Sequence, residues 1–367
     1  MRKKQPEAGP TREQRLADAK AKLEKQYGKD VITLGIPPLA GRLPTGSLGL
    51  DVHTASPVAG GEVRGGWPFG HITLLWAGEA TGKTLLCCHA IREVQRIGGV
   101  ACFMDFEKAT LPNWIEHCGA DPSKVHAVHA ATLNTGFDAA REIIRADPGL
   151  VIIDSLVGLE TASDSERSHT EDSYGGASRD INRFFRTLTS SLSPKLSKDE
   201  PAVPNNTVIM VTNQEREAVG QTYGERKLMP GGKAQRHQSH VWMRLDRVEW
   251  VEEGSKEAGN LRRVGQDVTV QFRKNIGHAP QQKCTFRIFF SDSEEWGATE
   301  GMIDVGEECL RWGKANGIVE LAGAWWHYGE IKLGQGERAA CRFLRANPEV
   351  QQQIENRIRT ACGMTVP

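Results

Sequence analysis

No two of the eight cysteines stand in C-x-x-C spacing, and no two histidines stand in H-x-x-x-H or H-E-x-x-H spacing. Those absences argue against a transition metal held by the protein. Most of the cysteines (Cys87, Cys88, Cys102, Cys118, Cys284, Cys309, Cys341, Cys362) lie among apolar neighbours, where a free thiol packs as a small hydrophobe, so reduced buried thiols are expected. No apolar run approaches the roughly 20 residues that a membrane span needs. The first residues, MRKKQPEAGPTREQR, have no apolar segment behind their basic start, so no secretory signal is expected. A cytoplasmic protein without a membrane partner follows. Net charge is also missing: 46 Lys and Arg balance 46 Asp and Glu, so bulk charge announces no polyanionic partner. Its distribution is nonetheless uneven. Residues 1–29 carry nine basic against four acidic side chains, which suits either a nucleic-acid arm or a solvated, subunit-contacting helix.

The 367 residues exceed one typical domain, and a large core with one smaller unit is expected. Thr11 and Gln14 form a capping-box pattern, after which Leu16, Ala19, Leu23 and Tyr27 recur at helical spacing until Gly28. This predicts a short amphipathic helix whose stripe packs on its own domain or on a neighbour. Residues 31–70 are rich in Gly and Pro and read as loops with short strands. From residue 71 short apolar runs alternate with helical segments: HITLLWA (71–77), VACFMD (100–105), VHAVHA (125–130), LVIID (150–154) and TVIMVTN (207–213). That alternation predicts an α/β fold on a largely parallel, twisted sheet with both faces covered. After residue 240 the runs VWMRLDRVEW, QDVTVQFR and KCTFRIFF read as antiparallel strands. The Pro-rich, polar stretch 193–206 reads as a solvent-exposed insertion, and residues from about 300 onward read as a mostly helical second domain with Gly-rich turns.

Ala77-Gly78-Glu79-Ala80-Thr81-Gly82-Lys83-Thr84 lies where a strand hands over to a helix and matches a P-loop, with Ala77 in place of the first glycine. Such a loop wraps backbone N–H groups around phosphate oxygens at a helix N-terminus. Gly82 allows close approach, Lys83 supplies charge to the β- and γ-phosphates, and the Thr84 hydroxyl can ligate Mg²⁺; Leu85, next in the helix, belongs to the same set. Asp154 ends an apolar strand and suits Mg²⁺ binding, or else caps a following helix. Glu107, just past another strand, is placed to orient or deprotonate water, with Asp105 as its rival. Gln214, at the end of a third strand, can sense a γ-phosphate. The stretch behind it, REAVGQTYGERKLMPGGKAQRH, is glycine-rich, basic and aromatic-bearing. A phosphate sensor wired to such a loop is a switch architecture. An ordinary flexible surface loop is the alternative.

Several segments have no generic reason to recur, and together they resemble the RecA family. LEKQYGKDVITLG (23–35) is similar to the end of its N-terminal polymerisation helix, and PTGSLGLD (44–51) to the segment before its first core strand. FMDFEKA (103–109) is similar to the stretch with its catalytic glutamate, LVIIDSLVGL (150–159) to its metal-site strand, and GAWWHYGEIKLGQGERAACRFLRANPE (323–349) to its C-terminal domain. The resemblance covers roughly residues 15–360. It implies three parts: a polymerisation helix and linker (1–35), a P-loop ATPase core with DNA-binding loops (36–295), and a small C-terminal α/β domain (296–367). The implied activity is that of an ATP- and Mg²⁺-dependent recombinase, active in recombination, repair and the SOS response. It forms a helical filament on single-stranded DNA and pairs it with homologous duplex. Catalysis falls to Lys83, Glu107 and Gln214.

By the same resemblance, residues 161–173 are a first DNA-binding loop with Arg179 behind it. Arg216, Tyr223, Gly231, Gly232 and Lys233 belong to a second, in which cations meet phosphates and the ring abuts bases. Trp114 stands where the family stacks adenine, while Leu111 replaces an aspartate that contacts the base. Arg273 and Lys274 are candidates to reach a neighbouring protomer's ATP, near a one-residue shift around Ile276-Gly277-His278. No acidic tail follows residue 367, which in the family implies less autoinhibition, as in a phage-encoded relative. Two other classes remain: a ring-shaped RecA-fold helicase or motor, separable by imaging, and a non-catalytic DNA-binding regulator, separable by turnover.

Overall fold

The computed structural model describes residues 11–33, 39–108, 110, 112–156, 176–217, 227–278 and 281–366. Eight strands form the central sheet: β1 (Ile72–Ala77), β2 (Val100–Asp105), β3 (Val125–Ala127), β4 (Gly149–Asp154), β5 (Val208–Gln214), β6 (Val241–Glu253), β7 (Arg262–Asn275) and β8 (Lys283–Phe289). Their order is β8-β7-β6-β1-β5-β4-β2-β3. Pairing from β6 through β1 to β3 is parallel, and β6, β7 and β8 are antiparallel. The mixed sheet expected from the sequence is present. The run 125–130 is the one that falls short, since only its first three residues pair, at the exposed edge beside β2.

Why β1 reads as an unbroken apolar run is clear from its neighbours. All six residues are buried; Ile72, Leu74 and Trp76 enter one core and Leu75 and Ala77 the other. Successive side chains of a strand point to opposite faces, so a strand covered twice must be apolar throughout. One face carries α3 (Lys83–Arg96), with Leu86, Ala90, Ile91 and Val94 against the sheet. The other carries α5 (Leu133–Ala146) and α6 (Gly176–Ser191), joined by stacked Phe137 and Phe184 at a centroid distance of 3.9 Å. Two shorter helices, α2 (Leu48–Thr54) and α4 (Pro112–His117), close the first face. Seven of the cysteines are buried and free, and burial pushes the thiols of Cys87, Cys309 and Cys341 well above their usual range.

At the N-terminal end, α1 (Arg12–Tyr27) has the anticipated cap: Thr11 and Gln14 exchange backbone-to-side-chain hydrogen bonds. None of its residues is buried, and Leu16 and Tyr27 remain 62% and 54% exposed. Beyond the sheet, α8 (Val305–Ala315), a three-stranded antiparallel sheet of β9 (Glu320–Ala322), β10 (Trp325–Tyr328) and β11 (Ile331–Gln335), α9 (Gly336–Ala346) and α10 (Pro348–Ala361) share their own core. A five-residue helix, α7 (Ala234–Gln238), precedes β6. No helix among the described residues is long and apolar enough to cross a membrane.

The C-terminal core is not sealed off, because Leu48 of α2 is buried in it. The joint is polar at its centre. Fully buried Glu308 accepts hydrogen bonds from the Ser47 hydroxyl at 2.6 Å and from the backbone N–H groups of Leu48 and Gly49, both at 2.9 Å. Burial raises its pKa to about 7 against the pull of those donors, and raises Glu307 to about 8 and Asp51 to about 6. These groups hold protons in the folded chain that they release near pH 4 when unfolded, so folding takes up protons across that interval. Below about pH 6.5 buried His89 and His240, whose pKa values are lowered to about 3, act in the opposite sense, so stability falls as pH rises from about 6.5 to 8. Thermal unfolding of the ligand-free protein across that range should show a declining melting temperature, with a flatter profile for Glu308→Gln.

Candidate nucleotide site and the loop beside it

The turn between β1 and α3 is built on two left-handed residues, Ala80 at φ 52° and Gly82 at φ 93°. A Cβ at Gly82 would also stand 2.9 Å from Ile288 Cδ1. Lys83 folds back along the loop and donates to Gly78 O at 2.7 Å and Ala77 O at 3.3 Å. Lys83 is 7% exposed, and burial lowers its pKa although Asp154, Glu107 and Glu215 draw it up. Gln266 Nε2 donates to Ala80 O at 2.9 Å and pins the loop from the antiparallel half of the sheet.

Three strand ends supply the polar edge. Asp154 accepts from Thr84 Oγ1 at 2.7 Å and from Thr212 Oγ1 at 2.5 Å, so it ties the P-loop helix to β4 and β5. Burial raises its pKa, the two hydroxyls and Lys83 oppose that, and Glu107 adds to it. Glu107 accepts from Gln214 Nε2 at 2.9 Å and from the Ser155 hydroxyl. Asp105, its rival, accepts from Thr110 N at 2.8 Å within its own turn.

Asp154, Glu107, Asp105 and the P-loop line a cavity of about 420 Å³. Ala80, Thr81, Gly82, Lys83, Thr84, Leu85, Asp105, Glu107, Trp114 and Asp154 all reach it, whereas Ala77, Gly78, Glu79 and Gln214 are not among its lining residues. Sequence reasoning missed the opposite wall of Trp250, Gln266, Ile288 and Phe290. Trp250, Gln266 and Ile288 are direct cross-strand partners on β6, β7 and β8, so register alone assembles them. Guanidinium carbons of Arg247 and Arg263 lie 4.1 and 4.6 Å from the Trp250 ring centroid, and Phe290 meets that ring edge-on at 6.0 Å. Arg273 and Lys274 are outside this cavity. Lys274 Nζ donates instead to His237 O at 2.7 Å, at the end of α7.

The segment behind Gln214 begins at the same edge. Gln214 is the register partner of Ala77, and Glu215 N donates to Ala77 O at 3.0 Å. Arg216–Glu217 then pair antiparallel with Lys227–Leu228. The returning leg is tied down by Asn213 Nδ2, which donates to Pro230 O at 3.0 Å and Gln235 Oε1 at 2.9 Å. Gly231 and Gly232 have φ of 93° and 81°. Lys233, and Arg179 on α6, are exposed. Tyr223, Leu111 and residues 161–173 lie outside the described residues, as does the side chain of Arg216.

A phosphate-wrapping turn at the carboxyl edge of a parallel sheet, with a strand-end aspartate bonded to its threonine, places this chain among the P-loop nucleotide-binding proteins. Two family models match it, the RecA N-terminal domain over residues 14–294 and the RecA C-terminal domain over residues 307–363. Protein RecA of Saccharopolyspora erythraea is 31% identical over 362 residues, covering 97% of this chain and 95% of that relative. Protein RecA of Nocardioides sp. is 30% identical over 361 residues, covering 97% and 94%. The chain belongs to the RecA family. It is a DNA recombinase with a DNA-dependent ATPase core, and it binds nucleotide and DNA and forms filaments.

The glycine pair offers a direct test of how the loop is anchored. A Cβ at Gly232 would stand 2.2 Å from Asn182 Nδ2, and Asn182 Oδ1 also accepts from Ala234 N at 2.8 Å. Gly232→Ala should cost about 2 kcal/mol in urea unfolding. Combined with Asn182→Ala, part of that loss should be recovered, as a double-mutant cycle would measure.

Proposed function

We propose that the cavity takes ATP with Mg²⁺ and that its hydrolysis sets the posture of the segments that hold single-stranded DNA. The observation that carries this reading is the 2.9 Å hydrogen bond between Gln214 and Glu107, because Gln214 is also the first residue of the strand exit leading to residues 215–235. Lys83 neutralises the β- and γ-phosphates. Glu107 takes the proton of the attacking water. Trp114 stacks on the base. The hydroxyl of Thr84 and the carboxylate of Asp154 are both hard oxygen donors held side by side, which fits Mg²⁺. Among the described residues no group of three His, Cys, Asp or Glu is placed to cage a metal, so most of its remaining ligands come from phosphate and water. When bound, the ion offsets charge on the phosphate oxygens.

Gln214 bonds the γ-phosphate or Glu107, and the exchange moves the loop behind it. Arg179, Arg216 and Lys233 neutralise DNA phosphates, Gly231 and Gly232 shape the return, and Tyr223 abuts bases. Residues 161–173 form the companion loop. Arg273 and Lys274 reach the nucleotide of an adjoining protomer, which fits their position away from the cavity of their own chain. The three parts 1–35, 36–295 and 296–367 act as assembly helix, motor and C-terminal domain. In the cytoplasm, α1 docks copies of the chain into a helical filament, and homologous duplex is then tested by base pairing.

Three variants separate the roles. Lys83→Ala should abolish ATP binding. Glu107→Gln should keep ATP affinity while lowering turnover by about 100-fold or more. Gln214→Ala should retain basal hydrolysis and lose its stimulation by single-stranded DNA. Unchanged turnover in Glu107→Gln assigns the base elsewhere.

A further inference from the structure

The stretch 193–206 is absent from every role assigned above, and it is not a free loop. Lys195 and Val203 pair across it, with N–H to O distances of 2.8 and 3.1 Å in the two directions. Below that bridge, Asn205 is buried and donates to Ile144 O at 2.6 Å, so the base of the insertion is fixed to the end of α5. Its tip reaches to the residues that leave α1. Lys29 N donates to Ser197 O at 2.6 Å, Lys29 Nζ to Asp199 O at 2.6 Å, and Ala202 N to Asp30 Oδ2 at 3.0 Å. Gly28, at φ 117°, sits so close that a Cβ would stand 2.8 Å from Ser197 O and 3.1 Å from Leu196 Cβ. Glycine is required there by contact as well as by conformation.

The helix held this way has an apolar stripe and no buried residue, while both of its ends are capped. Leu196 and Val203, 41% and 53% exposed, add to the uncovered apolar surface at the Tyr27 end. A helix whose stripe has so little cover among the described residues gains stability chiefly from packing on something else.

We propose that residues 195–203 are a strap that fixes the exit of α1 and, with Leu196 and Val203, extend the face by which α1 binds a second copy of this chain. This rests on the reading of α1 as the assembly helix. The occupant is a second copy because the family forms filaments and the strap joins the helix at its root. An α1 swinging freely about Gly28 would lose orientational freedom on every docking event, and the strap removes most of that cost beforehand.

The bridge between Lys195 and Val203 allows a clean deletion, since residues 196–202 can be replaced by an Asn-Gly two-residue turn. Assembly of the full chain with a slowly hydrolysed ATP analogue, followed by sedimentation and imaging, should then need about tenfold more protein. Affinity for the mononucleotide should stay within about twofold, as a readout of the intact core. A double variant, Lys29→Ala with Asp30→Ala, removes two of the bonds without shortening the chain and should raise the required concentration about threefold to tenfold. It decides the matter if the turn replacement also loses nucleotide binding. Leu16→Glu tests α1 itself. Normal assembly of both strap variants beside impaired Leu16→Glu overturns the strap and leaves the α1 reading standing. Normal assembly of all three overturns both.

Discussion

Everything at the site depends on the register in which four parallel strands end along one edge. Ala77 pairs with Gln214, and Asp105 with Asp154, so the P-loop, the buried aspartate, the glutamate turn and the glutamine arrive together. A slip of one residue would send each side chain to the opposite face of the sheet. The register is secured by burial on both sides. β1, β4 and β5 each divide their apolar residues between two cores, so any shift would trade contacts in both at once.

On that frame sits a polar cluster that burial alone would disfavour. Asp154 is 5% exposed and Lys83 7%, and for both, loss of water opposes the charged form. Hydroxyls from two different elements, Thr84 and Thr212, compensate the carboxylate, and loop carbonyls compensate the ammonium. A satisfied network of this kind rigidifies its surroundings, whereas a half-satisfied one would be worse than an apolar core. The bonds of Lys83 to Ala77 and Gly78 also mean that a phosphate displaces existing partners, so only the difference between the two sets of bonds favours binding.

What the sequence revealed follows from the range over which each feature is encoded. The P-loop is a local strand–turn–helix, and the Thr11–Gln14 cap is a pattern of four residues; both were legible. Asp154, Glu107 and Gln214 were legible as strand ends. Trp250, Gln266, Ile288 and Phe290 were not, because β6, β7 and β8 bring them together only through cross-strand register. For Asp154 and Glu107 the sequence left alternatives open and could not show their hydrogen-bond partners. Asp154 bonds to two threonines, and Asp105 turns to Thr110 while Glu107 meets Gln214. The stretch 193–206 was read correctly as largely exposed. Its ties to residues 28–30 span most of the core in sequence, and no local pattern announces a backbone carbonyl as a partner.

The position of β1 in the sheet also dictates the order in which the protein can be completed as it leaves the ribosome. Both neighbours of β1 lie far downstream, in residues 208–214 and 241–245, whereas β2, β3 and β4 can find one another once residue 154 has been made. A strand buried along its whole length therefore waits without a partner through much of translation. Such a segment is a natural client for a chaperone and the first place where a stalled or truncated chain would aggregate.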